Sequence, residues 1–376
     1  MERLQSTWEH HVELNISESG VEPLRVEELL DAPADLTSLL RQPLAYLQTN
    51  GTEELRQSIA AIYPGATAEH VLVTNGGSEA NCVALLHLVQ PGDDVVTMTP
   101  NYMQVAGLAN GLGATVRRWP LAVRTDGAPR WQVDFDALDR LVTPRTKAIM
   151  ICNPNNPTGA RTTAAELDAI CRIASRIGSW ILSDEIYRGA EHDGVETPSM
   201  WGRSERVLVT SGLSKAYGLP GLRIGWVVGP PSAVEELWGI HDYTSIAPGA
   251  VNDRLARMAL EPARRQRILA RTREILRTNY PILREWIDLR RPLIEHVPPE
   301  AGAIAFLRYH HAINSTALVD RLRVERGVLV VPGDHFEMDG YLRIGFGSDA
   351  SQLSASLERI GGMLDTIPAD AAADAR

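Results

Sequence analysis

A lysine flanked by small residues and followed at short range by an arginine can do more than carry charge. In Ser211-Gly212-Leu213-Ser214-Lys215-Ala216-Tyr217-Gly218-Leu219-Pro220-Gly221-Leu222-Arg223 the segment is too rich in glycine to be helical. An amine there can form an imine with an aldehyde. Arg223, eight residues on, can grip a phosphate through two parallel hydrogen bonds. Taken alone, the same run also fits a surface lysine. Asp184-Glu185-Ile186-Tyr187 closes an apolar stretch beginning at Ser179. A carboxylate at that point suits a protonated ring nitrogen, which it would hold charged by pairing. Tyr187 offers a phenol to a neighbouring oxyanion, or simply packs. Asn153-Pro154-Asn155-Asn156-Pro157-Thr158-Gly159 holds amides beside rigid prolines, with Asn156 a candidate donor to a phenolate oxygen or an ordinary turn residue. In Gly76-Gly77-Ser78-Glu79 a glycine pair opens a helix, where free backbone N–H groups bind phosphate or Ser78 merely caps the helix.

These residues need elements to hold them. From about Thr52 to Gly229 the pattern alternates between helical and strand periodicity. Strands are expected at 71–74, 95–98, 147–152, 179–183, 206–210 and 223–229, with helices starting at Thr52, Ser78, Gln104 and Thr163. Alternation at this spacing implies right-handed crossovers and a mostly parallel sheet, an α/β fold. In such sheets ligands bind beyond the carboxyl ends of the strands, where the candidate residues fall. Past about Pro262 the texture changes to a long Arg-rich helix at 264–287 and short strands at 303–308, 328–331 and 341–346. Helices are expected at 315–326 and 351–364. This reads as a smaller α+β domain. The expected division is an N-terminal arm over 1–45, a large domain over 46–262, a small domain over 263–365 and a frayed Ala/Asp-rich tail after that.

Composition narrows the function. The 376 residues are 44% hydrophobic and 22% charged, ordinary for a globular chain. A net charge of −10 with no Lys/Arg cluster argues against nucleic-acid binding. No run approaches the length of a membrane span, and Met1-Glu2-Arg3-Leu4-Gln5-Ser6 has no apolar leader core. Cys82, Cys152 and Cys171 are odd in number and widely spaced, so neither a disulfide framework nor a CxxC metal site is expected, and a reducing cytoplasm fits. The pairs His10-His11 and His310-His311 are adjacent, which is the wrong spacing for zinc on one helix face.

In this order the motifs resemble the fold-type I enzymes that use pyridoxal 5′-phosphate (PLP), and within them the class I/II aminotransferases. The resemblance runs from about Asn15 to Leu364. It implies Lys215 as the Schiff-base lysine, Asp184 facing the pyridine nitrogen, Tyr187 and Asn156 on the ring hydroxyl oxygen, and Tyr102 stacked on the ring. Gly77, Ser78 and Arg223 would hold the phosphate. Tyr46 matches a tyrosine that reaches the partner subunit's phosphate, which implies a homodimer. Arg343 matches the arginine that binds the substrate α-carboxylate, with Asn156 beside it. The implied reaction is amino transfer between an L-amino acid and a 2-oxo acid. Gly212 departs from the pattern, since many relatives carry a hydroxyl residue there, and Ser211 is a candidate substitute. The stretches Leu213–Gly225, Asp242-Tyr243 and Gly327–Gly333 also resemble capreomycidine synthase-like enzymes, which cyclise a hydroxylated arginine. That keeps a PLP-dependent cyclase, lyase or oxidase as the alternative. In the N-terminal run, Glu9 and Glu18 are candidate carboxylates for a basic substrate side chain.

Overall fold

In a computed structural model, which describes residues 1–124 and 126–369, the chain builds two main sheets. The larger has eight strands: β1 (Val71–Thr74), β2 (Asp94–Thr99), β3 (Thr115–Arg124), β4 (Arg130–Val133), β5 (Thr146–Cys152), β6 (Trp180–Asp184), β7 (Val207–Gly212) and β8 (Gly225–Val228). Their order is β1-β8-β7-β6-β5-β2-β3-β4. The pairs β2–β3, β2–β5, β5–β6 and β6–β7 are parallel. Strand β8 runs antiparallel to both β1 and β7, so β1 points the same way as the parallel set. The carboxyl ends of β1, β5, β6 and β7 therefore meet at one edge.

Helices cover both faces, as a parallel sheet requires. Helix α1 (Glu2–Trp8) opens the chain and α2 (Gly77–Leu88) follows β1. Helix α3 (Ala164–Ile177) shows how local sequence sets these elements. Thr163 Oγ1 accepts from the Glu166 N–H, and the Glu166 carboxylate accepts in return from the Thr163 N–H. Gly178 ends the helix in the left-handed region at φ 70°. Leu167, Ile170, Cys171 and Ala174 face the core, and full burial of each large aliphatic side chain contributes about 1.5–3 kcal/mol.

The second sheet has four antiparallel strands, β9 (Ile294–His296), β10 (Ile304–Tyr309), β11 (Val331–Pro332) and β12 (Tyr341–Gly345), in the order β9-β10-β12-β11. Helix α4 (Pro262–Asp288) leads into it. The N-terminal segment is tied to this part of the chain. Leu14 and Asn15 pair in parallel with Val328 and Leu329, and the Gly345 N–H donates to the Ile16 carbonyl at 2.8 Å. A side chain at Gly345 would run into the Ile16 and Glu18 carbonyls.

Strands β3 and β4 and helix α1 were not among the expected elements. In β3, Arg117, Arg118 and Pro120 break the strand pattern, and most of its side chains are at least half-buried rather than core. Ala369 forms an isolated antiparallel bridge with His311, and the remainder of the expected frayed tail lies outside the described residues.

The loop after β1 and the start of β8 touch backbone to backbone. A Cβ on Gly225 would overlap the backbone of Gly76 and Gly77. Gly225→Ala is therefore expected to destabilise the protein by about 1–3 kcal/mol or more. Gly362→Ala, where nothing lies within 4 Å on a helix, should instead stabilise by about 0.5–1 kcal/mol. Urea unfolding of the two variants beside the parent checks both signs.

Candidate active site

Beyond the carboxyl ends of the central strands lies a cavity of about 360 Å³. Its walls bring together Gly77, Ser78, Tyr102, Asn156, Asp184, Tyr187, Lys215 and Arg223, all singled out in the sequence. They come from five separate segments, so the sheet rather than local sequence assembles them.

Asp184 is the last residue of β6. Its Oδ2 accepts from Asn81 Nδ2 at 2.8 Å and its Oδ1 from the Ile186 N–H at 3.1 Å. Burial pushes its pKa up, and these two donors pull against that shift. Tyr187 donates to Ser19 Oγ at 2.9 Å, and burial holds its phenol protonated. Tyr102 is likewise held protonated, first by burial and then by the Glu2 carboxylate.

One end of the cavity is made for an anion. Gly77 and Ser78 form the first turn of α2, whose N–H groups and helix dipole favour negative charge. The Arg223 guanidinium lies over Gly76, at φ 92°, where any side chain would collide with it. Arg223 itself is held in the left-handed region at φ 48°, and its Nη1 donates to the Pro220 carbonyl at 3.1 Å. A Cβ at Gly212 would lie 2.8 Å from the Ile224 carbonyl, so no hydroxyl residue fits there. Ser211 Oγ donates to the Glu185 carbonyl at 3.2 Å and does not line the cavity. Ser214, which the sequence reading passed over, does line it.

Arg343 lies behind the cavity wall and is 1% exposed. Its Nη1 donates to Asn156 Oδ1 at 3.1 Å and its Nη2 to the Ser17 carbonyl at 2.6 Å, while its Nε is buried without a partner. Met1 Sδ stands 3.3 Å from Nη1. Lys215 Nζ is 3.6 Å from Glu18 Oε2. Glu2 and Gln5 from α1 complete the roof. Glu9 is not brought in, and its carboxylate meets His10 instead. Tyr46 is 85% exposed and also lies outside the cavity. Among the described residues no group of three or more His, Cys, Asp or Glu side chains could hold a metal ion. No helix among them is long and apolar enough to cross a membrane.

Comparison with known proteins agrees with this geometry. The family described as aminotransferase class I and II matches residues 14–360. Capreomycidine synthase of Streptomyces vinaceus is 35% identical over 316 residues, covering 84% of this chain and 80% of its own. Arginine–pyruvate transaminase of Pseudomonas aeruginosa is 29% identical, covering 87% and 84%. The crystal structure of a PLP-dependent aminotransferase from Streptococcus suis superposes with a TM-score of 0.90 at 33% identity over 98% of both chains. The chain thus has the fold-type I architecture. It belongs to the class I and II aminotransferases and is an enzyme of that family.

Glu79, in the first turn of α2, locks the anion-binding end in place. It accepts from the Asn75 N–H at 2.5 Å, Thr244 Oγ1 at 2.6 Å and Ser245 Oγ at 2.9 Å, with His241 Nε2 at 3.3 Å. Burial opposes its ionisation, but these donors outweigh it and lower its pKa from 4.5 to about 2. A depressed folded-state pKa stabilises above the unfolded value and is lost as pH falls through the folded one. Glu79→Gln should therefore be less stable than the parent at pH 6, with the gap closing between pH 4.5 and 2. Thermal unfolding across that range checks it.

Proposed function

We propose that the protein moves an amino group between an L-amino acid and a 2-oxo acid, with Lys215 as the residue that does the proton work. The observation that carries this is the single cavity shared by the Lys215 amine, the Asp184 carboxylate and the anion-binding end at Gly77, Ser78 and Arg223. The cofactor is pyridoxal 5′-phosphate, and the residues fit it: an acceptor for a ring N–H, a glycine cradle that a Cβ would fill, and an amine between them. When bound, PLP draws electrons from the Cα of an attached amino acid and so acidifies its Cα–H bond.

The chain's own residues supply the rest. Gly77, Ser78, Ser214 and Arg223 hold the phosphate, and Asp184 faces the ring nitrogen. Tyr102 would stack on the ring, while Tyr187 and Asn156 would serve its hydroxyl oxygen. Lys215 would hold the cofactor through its amine and, as a free amine, would be the base placed to take a proton from the donor's Cα. Arg343, already oriented by Asn156 and the Ser17 carbonyl, takes the substrate carboxylate, fixing which bond at Cα faces the lysine.

The same proposal extends to organisation. Residues 46–262 form the cofactor domain, 263–365 the smaller domain, and 1–45 an arm whose helix α1 roofs the cavity. Leu40, Leu44 and Tyr46 are 77–86% exposed, an apolar strip suited to a second copy. A homodimer would cover it and carry Tyr46 to the partner's phosphate. The three cysteines are unpaired, which supports a reducing cytoplasm.

The side chain of the amino donor is read by Glu18. Glu18 lines the cavity with its Oε2 3.6 Å from Lys215 Nζ, and so offers a carboxylate to a cationic group of the substrate. This favours basic donors such as arginine, the substrate named for the Pseudomonas relative.

Titrating the PLP-loaded protein with single amino acids should bleach its visible cofactor band with a basic donor. A 2-oxo acid should then restore it. Bleaching or a lasting new band that no 2-oxo acid reverses would favour the cyclase, lyase or oxidase reading. Lys215→Ala should abolish turnover. Glu18→Gln should raise the KM for arginine about tenfold relative to an uncharged donor, and Glu9→Gln, outside the cavity, should not. An unchanged preference in Glu18→Gln would overturn the basic-donor reading alone.

A further inference from the structure

Behind Asp184 runs a chain of hydrogen bonds, buried at Asn81 and Thr210, that the roles above leave unused. The Ser78 carbonyl accepts from Gln104 Nε2 at 2.7 Å. Gln104 Oε1 faces Asn81 Nδ2 at 3.4 Å, and the same Nδ2 donates to Asp184 Oδ2 at 2.8 Å. Thr210 Oγ1 donates to Asn81 Oδ1 at 2.6 Å. Asn81 is 2% exposed and Thr210 1%.

The chain has a fixed polarity. A backbone carbonyl can only accept, so the amide nitrogen of Gln104 must face Ser78 and its oxygen must face Asn81. The Asn81 nitrogen must then point at Gln104 and Asp184, and its oxygen at Thr210, whose hydroxyl donates. Asp184 Oδ2 therefore meets a donor and has nothing on that side to donate to. A proton on the side of Oδ2 that faces Asn81 would need that amide reversed, which would break the contacts to Gln104 and Thr210 together. In a buried site every such mismatch is costly.

We propose that Asn81, oriented by Gln104 and Thr210, is a positioning residue that keeps Asp184 an ionised acceptor aimed at the cavity and so keeps the cofactor's ring nitrogen protonated. The relay begins at Ser78, on the phosphate-holding turn, and ends at Asp184, so two linked amides, Gln104 and Asn81, join both ends of the site. The proposal rests on the PLP reading above. It adds three residues, Asn81, Gln104 and Thr210, to the machinery of the site.

The test uses the holoenzyme, the variants Asn81→Leu and Thr210→Val, and two cofactors. One is PLP and the other its 1-deaza analogue, with carbon in place of the ring nitrogen. Exchange of the amino donor's Cα–H into D2O, followed by NMR, reads proton transfer even where turnover is slow. With PLP, Asn81→Leu should slow exchange at saturating donor about 10–100-fold, the range seen when an orienting partner is removed. Its KM should change less than about threefold. Thr210→Val, nearly isosteric, should slow exchange less in the same direction and serves if Asn81→Leu fails to fold. With the deaza cofactor, parent and variants should exchange at the same residual rate. An equal fold-loss with both cofactors would show that the residues merely support the fold, and an unchanged rate with PLP would also overturn the proposal. If the parent chain bound no PLP at all, the cofactor reading itself would fall, a result distinguishable from either.

Discussion

The architecture turns on a carboxylate at the end of a buried strand. Asp184 ends β6, the strand flanked by β5 and β7 in the middle of the eight-stranded sheet. Burying an anion there is costly unless donors or a cation meet it. The protein supplies two donors, Asn81 Nδ2 and the Ile186 N–H, and leaves the cavity side for a positively charged partner. A cationic ring nitrogen is the kind of group such a site stabilises. The sheet order brings Lys215, Asn156 and the Gly77–Ser78 turn to the same edge, because β5, β7 and β1 all end there.

The second constraint is the path of the first twenty residues. They cross from α1 at the cavity roof to the far sheet, pairing at Leu14–Asn15 with Val328–Leu329 and passing close over Gly345. That path delivers the Ser17 carbonyl to Arg343, Ser19 to Tyr187 and Glu18 to Lys215. Arg343, on β12, thus gains its orientation from three directions, since Asn156 follows β5 and Met1 immediately precedes α1. A carboxylate anchor built across so many segments is ordered only when the whole chain is folded.

Much of this was legible in the sequence where local chemistry and element ends coincide. Asp184, Lys215 and Gly77–Ser78 sit next to clear strand or helix boundaries, and the structure keeps those boundaries within a residue or two. What stayed hidden depends on contacts between segments. Asn81 lies on α2 among apolar neighbours, and nothing in its own stretch shows that Thr210, 129 residues away, fixes its amide. Helix α1 carries Glu2 and Gln5 without an apolar face long enough to stand out. Strand β3 is masked by Arg117, Arg118 and Pro120. Glu9 and Glu18 looked equivalent as acidic residues on one arm, and only the turn between them places one over the cavity and the other beside His10.

The hydroxyl absent at position 212 shows how one close approach reshapes a binding site. Strands β7 and β8 pair Gly212 with Gly225, and Gly225 in turn presses on the backbone of Gly76 and Gly77. Three glycine contacts in a row let the first turn of α2 sit low over the sheet. A side chain at 212 would push against the Ile224 carbonyl and lift that stack. Within the 211–214 run the hydroxyl on the cavity side is that of Ser214, next to Lys215, while Ser211 is turned inward to the Glu185 carbonyl. The anion grip therefore rests on the helix turn, Arg223 and Ser214, with its geometry set by backbone packing rather than by a residue at 212. Arg223 is strained into the left-handed region to reach over Gly76, and that strain is sustained by the β8 strand beginning two residues later.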